Sequence, residues 1–319
     1  MIIKQALMII ILQHLLYGKD VYIIMMDFKP LTLDDKKILD KFLKPYTFNT
    51  CEYSFTNLFI WRKALDIQYA ICNNILIIKK TDFSNNYHFM QPVGYTKENL
   101  KEIIDFLFES KEVLNLQYFM KDVEESFIQD LNDVFPNHKF TIEEDRDNSD
   151  YIYESSKLIS LSGKKLHKKK NNYNHFIKNY KYSNDIIKPE NIELCIKAAI
   201  EWCHKSICKG YLLHELSSIK DLLENISELE LFGMVVYIKD KLSAFTIGEK
   251  MNNNMAIIHI EKADPDIRGL YTYINQVFAE RYFKNVTYIN REQDLGIEGL
   301  RKAKMSYMPA MLAKKFIIK

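Results

Sequence analysis

Residues 288–309, YINREQDLGIEGLRKAKMSYMP, run from a β-like segment through Asn290, Arg291, Glu292 and Asp294, cross two glycines, and continue into a helical pattern carrying Arg301, Lys302 and Lys304. The chain holds nine glycines in 319 residues, and Gly248, Gly269, Gly296 and Gly299 all fall in its last quarter. Glycine this scarce reads as positional, serving close backbone approach or a positive φ. A strand that runs out into a helix commonly presents polar groups to ligands. Asn290, Arg291, Glu292, Asp294 and Gly296 are therefore substrate-binding candidates, with capping of the helix as a second role for Asp294. Along that helix the spacing predicts a buried stripe of Ile297, Leu300, Ala303 and Tyr307. Arg301 and Lys304 flank it as a cationic pair suited to a phosphate or carboxylate, or to the plainer task of holding an acidic patch.

The preceding strand, residues 254–264 (NMAIIHIEKAD), alternates so that Ile257, His259 and Glu261 share one face. Glu261 is the first candidate for a general base, and Glu249, ending the neighbouring strand LSAFTIGEK (242–250), is the second. His259 joins the substrate-binding set. Each acid also fits a hydrated strand end. A covalent nucleophile is not expected: Cys203 and His204 adjoin on a helical segment and point apart. The five cysteines, Cys51, Cys72, Cys195, Cys203 and Cys208, lack paired CxxC spacing and read as reduced, cytoplasmic thiols with no metal site.

Length favours about two domains, and 47% apolar with 27% charged residues is a globular composition. A formal charge of +2 does not announce a polyanion binder, so any such case rests on distribution. Glu143, Glu144, Asp145, Asp147, Asp150 and Glu154 form an acidic run. Residues 163–182, GKKLHKKKNNYNHFIKNYKY, then carry seven lysines, two histidines and no acid. This change of sign near residue 145 marks the expected boundary between domains 26–145 and 146–319. Leu166, Tyr173, Ile177 and Tyr180 are the predicted inner face of the basic helix. Lys164, Lys165, His167, Lys168, Lys169 and Lys170 become a phosphate-binding surface, with a merely solvated face as the alternative. Residues 1–25 stand apart as an extension: QALMIIILQHLLYG (5–18) is uncharged but shorter than the roughly 20 residues of a membrane span, no signal cleavage site follows, and MMDFKPLTLDD reads as a domain entry.

Apolar runs at 67–80 turn at Asn73-Asn74 like a hairpin, a strand is expected at VLNLQYFM (113–120), and a helix at 267–283 with Asp264 as N-cap and Pro265 in its first turn. A strand meander, helix, strand, helix and final strand, given twice, is an α/β (α+β) order similar to the Gcn5-related acyltransferase fold. SFTNLFIWR, DYIYESSKLISLSGKKLHKKKNNYNHF, FTIGEK, IHIEKADPDIRGLYTYINQVF and YINREQDLGIEGLRKAKMSYMP together resemble the bacterial family named for the C-terminal domain of phosphatidylglycerol lysyltransferase. The resemblance runs from about Met26 onward. It implies two tandem acyltransferase-like domains, with mixed sheets flanked by helices, and an aminoacyltransferase that uses aminoacyl-tRNA as donor and needs no cofactor. The acceptor would be an anionic lipid headgroup, a peptide or a small amine, and the site cytoplasmic or peripheral at a membrane. Two other readings stay open: an acyl-CoA-dependent N-acyltransferase, and a non-catalytic module binding a nucleic acid or lipid surface. Against coenzyme A, the loop ADPDIRGLYTY offers one glycine and the acids Asp264 and Asp266 where a pyrophosphate would need glycine-rich backbone amides.

Overall fold

In the computed structural model, which describes residues 26–205 and 211–319, the first half runs β1 (Lys29–Pro30), α1 (Lys36–Leu43), α2 (Phe55–Trp61), β2 (Gln68–Cys72), β3 (Ile75–Thr81), β4 (Tyr87–Phe89), α3 (Lys97–Val113), β5 (Met120–Glu124), α4 (Glu125–Val134) and β6 (Ile142–Glu144). The second half runs β7 (Asp150–Glu154), α5 (Ser155–Ser160), α6 (His167–Asn179), β8 (Tyr182–Ile186), α7 (Pro189–Lys205), α8 (Tyr211–Glu224), β9 (Phe232–Ile238), β10 (Lys241–Lys250), β11 (Met255–Ala263), α9 (Leu270–Tyr282), β12 (Tyr288–Asn290), α10 (Glu298–Met305), β13 (Met311–Ala313) and β14 (Lys315–Ile318). The apolar N-terminal run and its reading as an extension lie outside the described residues. No helix among the described residues is long and apolar enough to cross a membrane.

Local chemistry explains the turns. Asn73 and Asn74 both take positive φ (49° and 62°), as do Lys239 and Asp240 (51° and 61°), so β2–β3 and β9–β10 close through the mirror-image turns that match strand twist. Ser54 caps α2 by accepting from the Asn57 backbone N–H at 3.3 Å. Two expectations are corrected. The strand placed at 113–120 begins only at Met120, because α3 continues to Val113 and the apolar Leu116 and Phe119 pack as a buried connection. The helix placed at 267–283 begins at Leu270, with Gly269 rather than Asp264 at its N-cap. Gly269 has φ +89°, and a Cβ there would stand 2.2 Å from the Asn172 carbonyl oxygen. Only glycine lets α6 approach the start of α9 that closely.

Two mixed seven-stranded sheets result among the described residues, ordered β1-β2-β3-β4-β5-β14-β6 and β13-β7-β12-β11-β10-β9-β8. Each contains one parallel step, β4 beside β5 and β11 beside β12. The strand beyond that step is exchanged between halves. β14, the last strand in the chain, pairs Lys315 with Glu124 and Phe316 with Val123 in the first sheet. In the second sheet its place beyond the step is taken by β7, which follows β6 in sequence and pairs Tyr153 with Ile289. A division after residue 145 therefore leaves residues 315–318 in the first sheet. One apolar core spans both halves, with Leu58, Phe59 and Ile60 of α2 packing among Trp202, Leu222, Leu223 and Phe245. Two further large cores lie on the outer faces of the sheets, and Ile152, Met255 and Ala313 form a small separate cluster.

The acidic run finds its partners in the chain's last residues. Glu143 pairs with Lys319 at 2.7 Å, Glu144 with Lys314 at 2.9 Å, Asp147 with Arg301 at 2.6 Å and Asp150 with Lys315 at 2.8 Å. Lys315 is fully buried and also reaches Glu52 at 3.1 Å. Glu52 in turn meets Lys80 at 2.8 Å, and Lys80 meets Asp122 at 2.7 Å. Burial alone would drive a lysine toward neutrality, yet the surrounding carboxylates, Asp150 first, hold Lys315 charged with its pKa well above the ordinary value. Removing one partner of such a pair strands the others, so Lys315→Ala should lose about 3–5 kcal/mol of unfolding free energy. The solvent-exposed pair Lys302–Glu298 is a control: Lys302→Ala should change stability by no more than about 0.5 kcal/mol in the same urea titration.

Candidate active site

The parallel pairing of β11 with β12 lasts three residues, from Met255 opposite Tyr288 to Ile257 opposite Asn290. Beyond it the strands part, and a cavity of about 660 Å³ opens between Ile258, His259 and Glu261 on one side and Arg291, Glu292 and Gln293 on the other. α10 closes it with Leu300, Ala303, Lys304 and the following Tyr307; Lys169 of α6, Trp61 of α2 and Glu215 of α8 complete the wall. Of the expected core stripe, Tyr307 is buried in the second-half core, while Ile297, Leu300 and Ala303 are not buried and the expectation is corrected for them. No residue of α10 is buried, because Leu300 and Ala303 line the cavity instead of packing into a core.

At the mouth of the split, His259 lies between two carboxylates. Its Nδ1 is 2.9 Å from Glu292 Oε1 and its Nε2 is 3.1 Å from Glu249 Oε1. With both carboxylates ionised, both ring nitrogens must donate, which makes the ring an imidazolium. Burial opposes the charge, but the bonds to Glu249 and Glu292 raise the His259 pKa to about 9. The two acids respond differently. Burial raises both; in Glu249 the His259 bond, with hydroxyl donations from Ser54 and from Thr56 at 3.0 Å, brings the net value below normal, whereas in Glu292 burial wins and the value stays raised. Glu292 holds a left-handed φ of 56°, a conformation that costs a non-glycine residue roughly 1–2 kcal/mol. Its backbone N–H donates to Asn290 Oδ1 at 2.7 Å and its carbonyl accepts from Tyr151 at 3.2 Å. Glu292 lines the cavity, and its second carboxylate oxygen takes no hydrogen bond from the described residues. Glu249 itself borders a separate cavity of about 200 Å³ between the halves.

Glu261 is held more tightly. Arg291 donates to its Oε1 at 2.9 Å and Asn275 to its Oε2 at 2.7 Å. Both of its oxygens are thus occupied within the chain, and neither is left to meet a substrate. Lys304 gives its ammonium to the carbonyls of Arg291 and of Glu292, the latter at 3.3 Å. Lys169 rests on the Tyr307 ring, 3.7 Å from its centroid. Burial first, then the neighbouring Arg291 charge, push both lysines down to about 8.

The remaining candidates fall elsewhere. Asn290 is buried and ties Asp150, at 2.8 Å, to the Asn49 carbonyl at 3.0 Å, so it joins the halves rather than lining the cavity. Asp294 is fully buried and does not cap α10, whose N-cap is Ile297. It takes Arg301 through two nitrogens at 2.8 and 2.7 Å and the Tyr151 hydroxyl at 2.5 Å. Burial is outweighed by these donors, and its pKa falls to about 2. Arg301 therefore anchors the loop before α10 and is not paired with Lys304 toward a ligand. Gly296 sits against Asp147, outside the cavity. Lys164, Lys165, His167, Lys168 and Lys170 are exposed, and only Lys169 among the basic set enters the cavity. The buried residue of α6 is Phe176, while the expected inner residue Ile177 is 39% exposed. Cys51, Cys72 and Cys195 are free thiols; Cys203 is disulfide-bonded, against the expectation that all five are reduced. Sequence reasoning missed Ser54, Thr56, Trp61 and Glu215. The signal for the first two was a polar Ser-x-Thr-Asn at the head of an apolar run.

Residues 43–319 match the family model described as phosphatidylglycerol lysyltransferase, C-terminal. A conserved protein of unknown function from Bacteroides thetaiotaomicron is 36% identical, with a TM-score of 0.85 over 92% of this chain and 99% of its own. The L-PGS structure from Bacillus licheniformis superposes with a TM-score of 0.62 at 13% identity, covering 91% of this chain and 92% of its own, and FemX with 0.56 at 9%, covering 92% and 97%; these two share the fold. An uncharacterised protein of Mycoplasmoides gallisepticum is 27% identical over 199 residues, 60% of this chain, and the chain spans 64% of that protein's length.

A raised histidine pKa stabilises the fold at low pH: the contribution is complete below the unfolded value of 6.5 and is lost as pH climbs through about 9. Comparing His259→Gln with the parent by urea unfolding should show a difference on the order of 3 kcal/mol near pH 6 that shrinks steadily toward pH 10. A difference independent of pH would mean that His259 is not held charged.

Proposed function

Because the chain belongs to the phosphatidylglycerol lysyltransferase C-terminal family, we propose that it transfers an aminoacyl group from aminoacyl-tRNA to an amine or hydroxyl acceptor held in the split of the second sheet. The acceptor class is a lipid headgroup, a peptide or a small amine. An aminoacyl ester is already activated, so the protein must position the reactants and take a proton from the attacking group. The observation that carries this reading is Glu292 at the mouth of the sheet split, a cavity-lining carboxylate with one oxygen left free by the described residues and the other bonded to the imidazolium of His259. Glu292, with its pKa raised by burial, is assigned the proton; Glu261 orients Arg291, and Glu249 orients His259. The exposed Lys164, Lys165, Lys168, Lys170 and His167 supply a basic surface beside the cavity for acceptor-stem phosphates.

A coenzyme A donor is disfavoured by a specific contact. Gly269, the glycine that would have to admit a pyrophosphate at the start of α9, is instead filled by the Asn172 carbonyl of α6. The deciding experiment incubates the protein with a mixed charged-tRNA pool and bacterial lipid, peptide and amine extracts, with a parallel arm containing acetyl-CoA, and seeks new products by mass spectrometry. Aminoacylated product from the tRNA arm is the expected outcome; acetylated product alone would reverse the assignment, and no product in either arm would favour a binding module. Glu292→Gln should lower kcat by about 100-fold or more with little change in KM, whereas parental turnover in that variant would remove Glu292 from the chemistry.

A further inference from the structure

Three aromatic rings from three separate elements meet at the edge of the cavity. Trp61 of α2 lines the cavity wall, as does Glu215 of α8. Phe83, in the turn between β3 and β4, sets its ring perpendicular to Trp61 with the centroids 5.8 Å apart, and the ring of His214, the neighbour of Glu215, stands 6.0 Å from Phe83. Phe83 keeps 47% of its surface exposed, yet the turn that carries it is fixed. Asp82 Oδ1 accepts the backbone N–H of Ser84 at 2.9 Å and of Asn86 at 3.0 Å, Lys121 donates to Asp82 Oδ2 at 3.1 Å, and Asn85 supplies the left-handed residue at φ 60°. A single exposed phenylalanine needs no explanation. One locked in a turn against a cavity-lining tryptophan presents apolar area that loses little freedom when a ligand covers it. The charges around it are already engaged: Arg62 and Lys63 pair with Asp221 at 2.7 and 3.3 Å, and Lys262 with Glu215 at 2.7 Å. This rim therefore suits a neutral planar group better than an anion.

We infer that Phe83 and Trp61, flanked by His214, form a stacking platform for an unpaired nucleobase at the 3′ end of the donor RNA. This rests on the aminoacyl-tRNA reading of the cavity. The ester of such a donor sits on the ribose of its last nucleoside, so a base lies one ribose away from whatever group reacts in the split, and the wall there must accommodate it. Stacking on an aromatic ring serves any base, because every base has a π face, and each stacked base contributes enough to place a strand end. Trp61 is the residue of the first half that lines the cavity, and Phe83 extends its apolar surface outward from it. The first half thereby gains a direct part in seating the donor, beyond orienting Glu249.

The test uses the whole chain and uncharged probes, so it stands apart from turnover. The RNA trinucleotide CCA is titrated at neutral pH and constant ionic strength, with ribose 5-phosphate as the probe that carries a phosphate and no base. Binding is followed by calorimetry and by tryptophan emission, in which Trp61 is the responsive residue because Trp202, the chain's other tryptophan, is buried in the core. Saturable binding of CCA with quenching is expected, and none of ribose 5-phosphate. Phe83→Ala should weaken CCA binding about tenfold with an unchanged melting temperature, and Phe83→Tyr should stay within about twofold of the parent. Trp61→Phe should keep most of the affinity and lose the quenching. The inference is overturned if CCA does not bind saturably, if ribose 5-phosphate binds as well, or if Phe83→Ala binds CCA like the parent; loss of binding to phosphatidylglycerol vesicles in that last case would assign the rings to a lipid. A protein that binds CCA through Phe83 but transfers nothing would keep the platform and lose the proposed activity. Transfer with a parental KM for charged tRNA in Phe83→Ala would do the reverse.

Discussion

Lys315 is a cation with no access to water, placed between Asp150 at the start of the second sheet and Glu52 ahead of α2. A charge in that position persists only with carboxylates at contact distance, so its partners must arrive together. Asp150 begins β7, and Lys315 begins β14, the two strands that occupy equivalent places beyond the parallel steps of the two sheets. The same carboxylate accepts from the Cys51 backbone N–H at 2.6 Å and from Asn290 at 2.8 Å. One buried ionic cluster thus fixes the end of β12, the entry to α2 and the chain's last strand relative to one another.

The cavity inherits its geometry from that constraint. Asn290 is the last paired residue of β12, and Arg291 and Glu292 take their positions from the point at which it is held. From the other side, α2 brings Ser54 and Thr56 to Glu249, and Glu249 brings His259 to Glu292. The first half of the chain therefore contributes to the second-sheet site without lining much of it. Its direct contribution is Trp61; its larger one is orientation, passed through two hydroxyls and an imidazolium. This is a physical reason for tandem halves in which only the second carries the cavity described here.

Much of the fold was legible because periodicity and turn chemistry are local. Asn73-Asn74 announced a hairpin, the alternation of β11 put His259 and Glu261 on one face, and the strand-to-helix passage at 290–298 borders the cavity those two line. What was not legible is long-range. Arg301 and Lys304 lie three residues apart and look like a pair, yet Asp294 and Asp147 take the first while backbone carbonyls take the second. Leu300 and Ala303 have core spacing, but the strands they cover have parted, so their apolar face meets a cavity. Lys169 sits among exposed lysines, and only the position of Tyr307 decides that it turns inward. The acidic run at 143–150 reads as a domain boundary in sequence; in three dimensions it is the receptor for Lys314, Lys315 and Lys319.

The central claim is that the exchanged strands and the Lys315 cluster make both sheets one cooperative unit. Native-state hydrogen exchange followed peptide by peptide examines this most directly. The amides of residues 315–318 should exchange only with global unfolding, at the same free energy as those of residues 150–154. Early exchange of the C-terminal strand, with β7 and β12 still protected, would contradict the account.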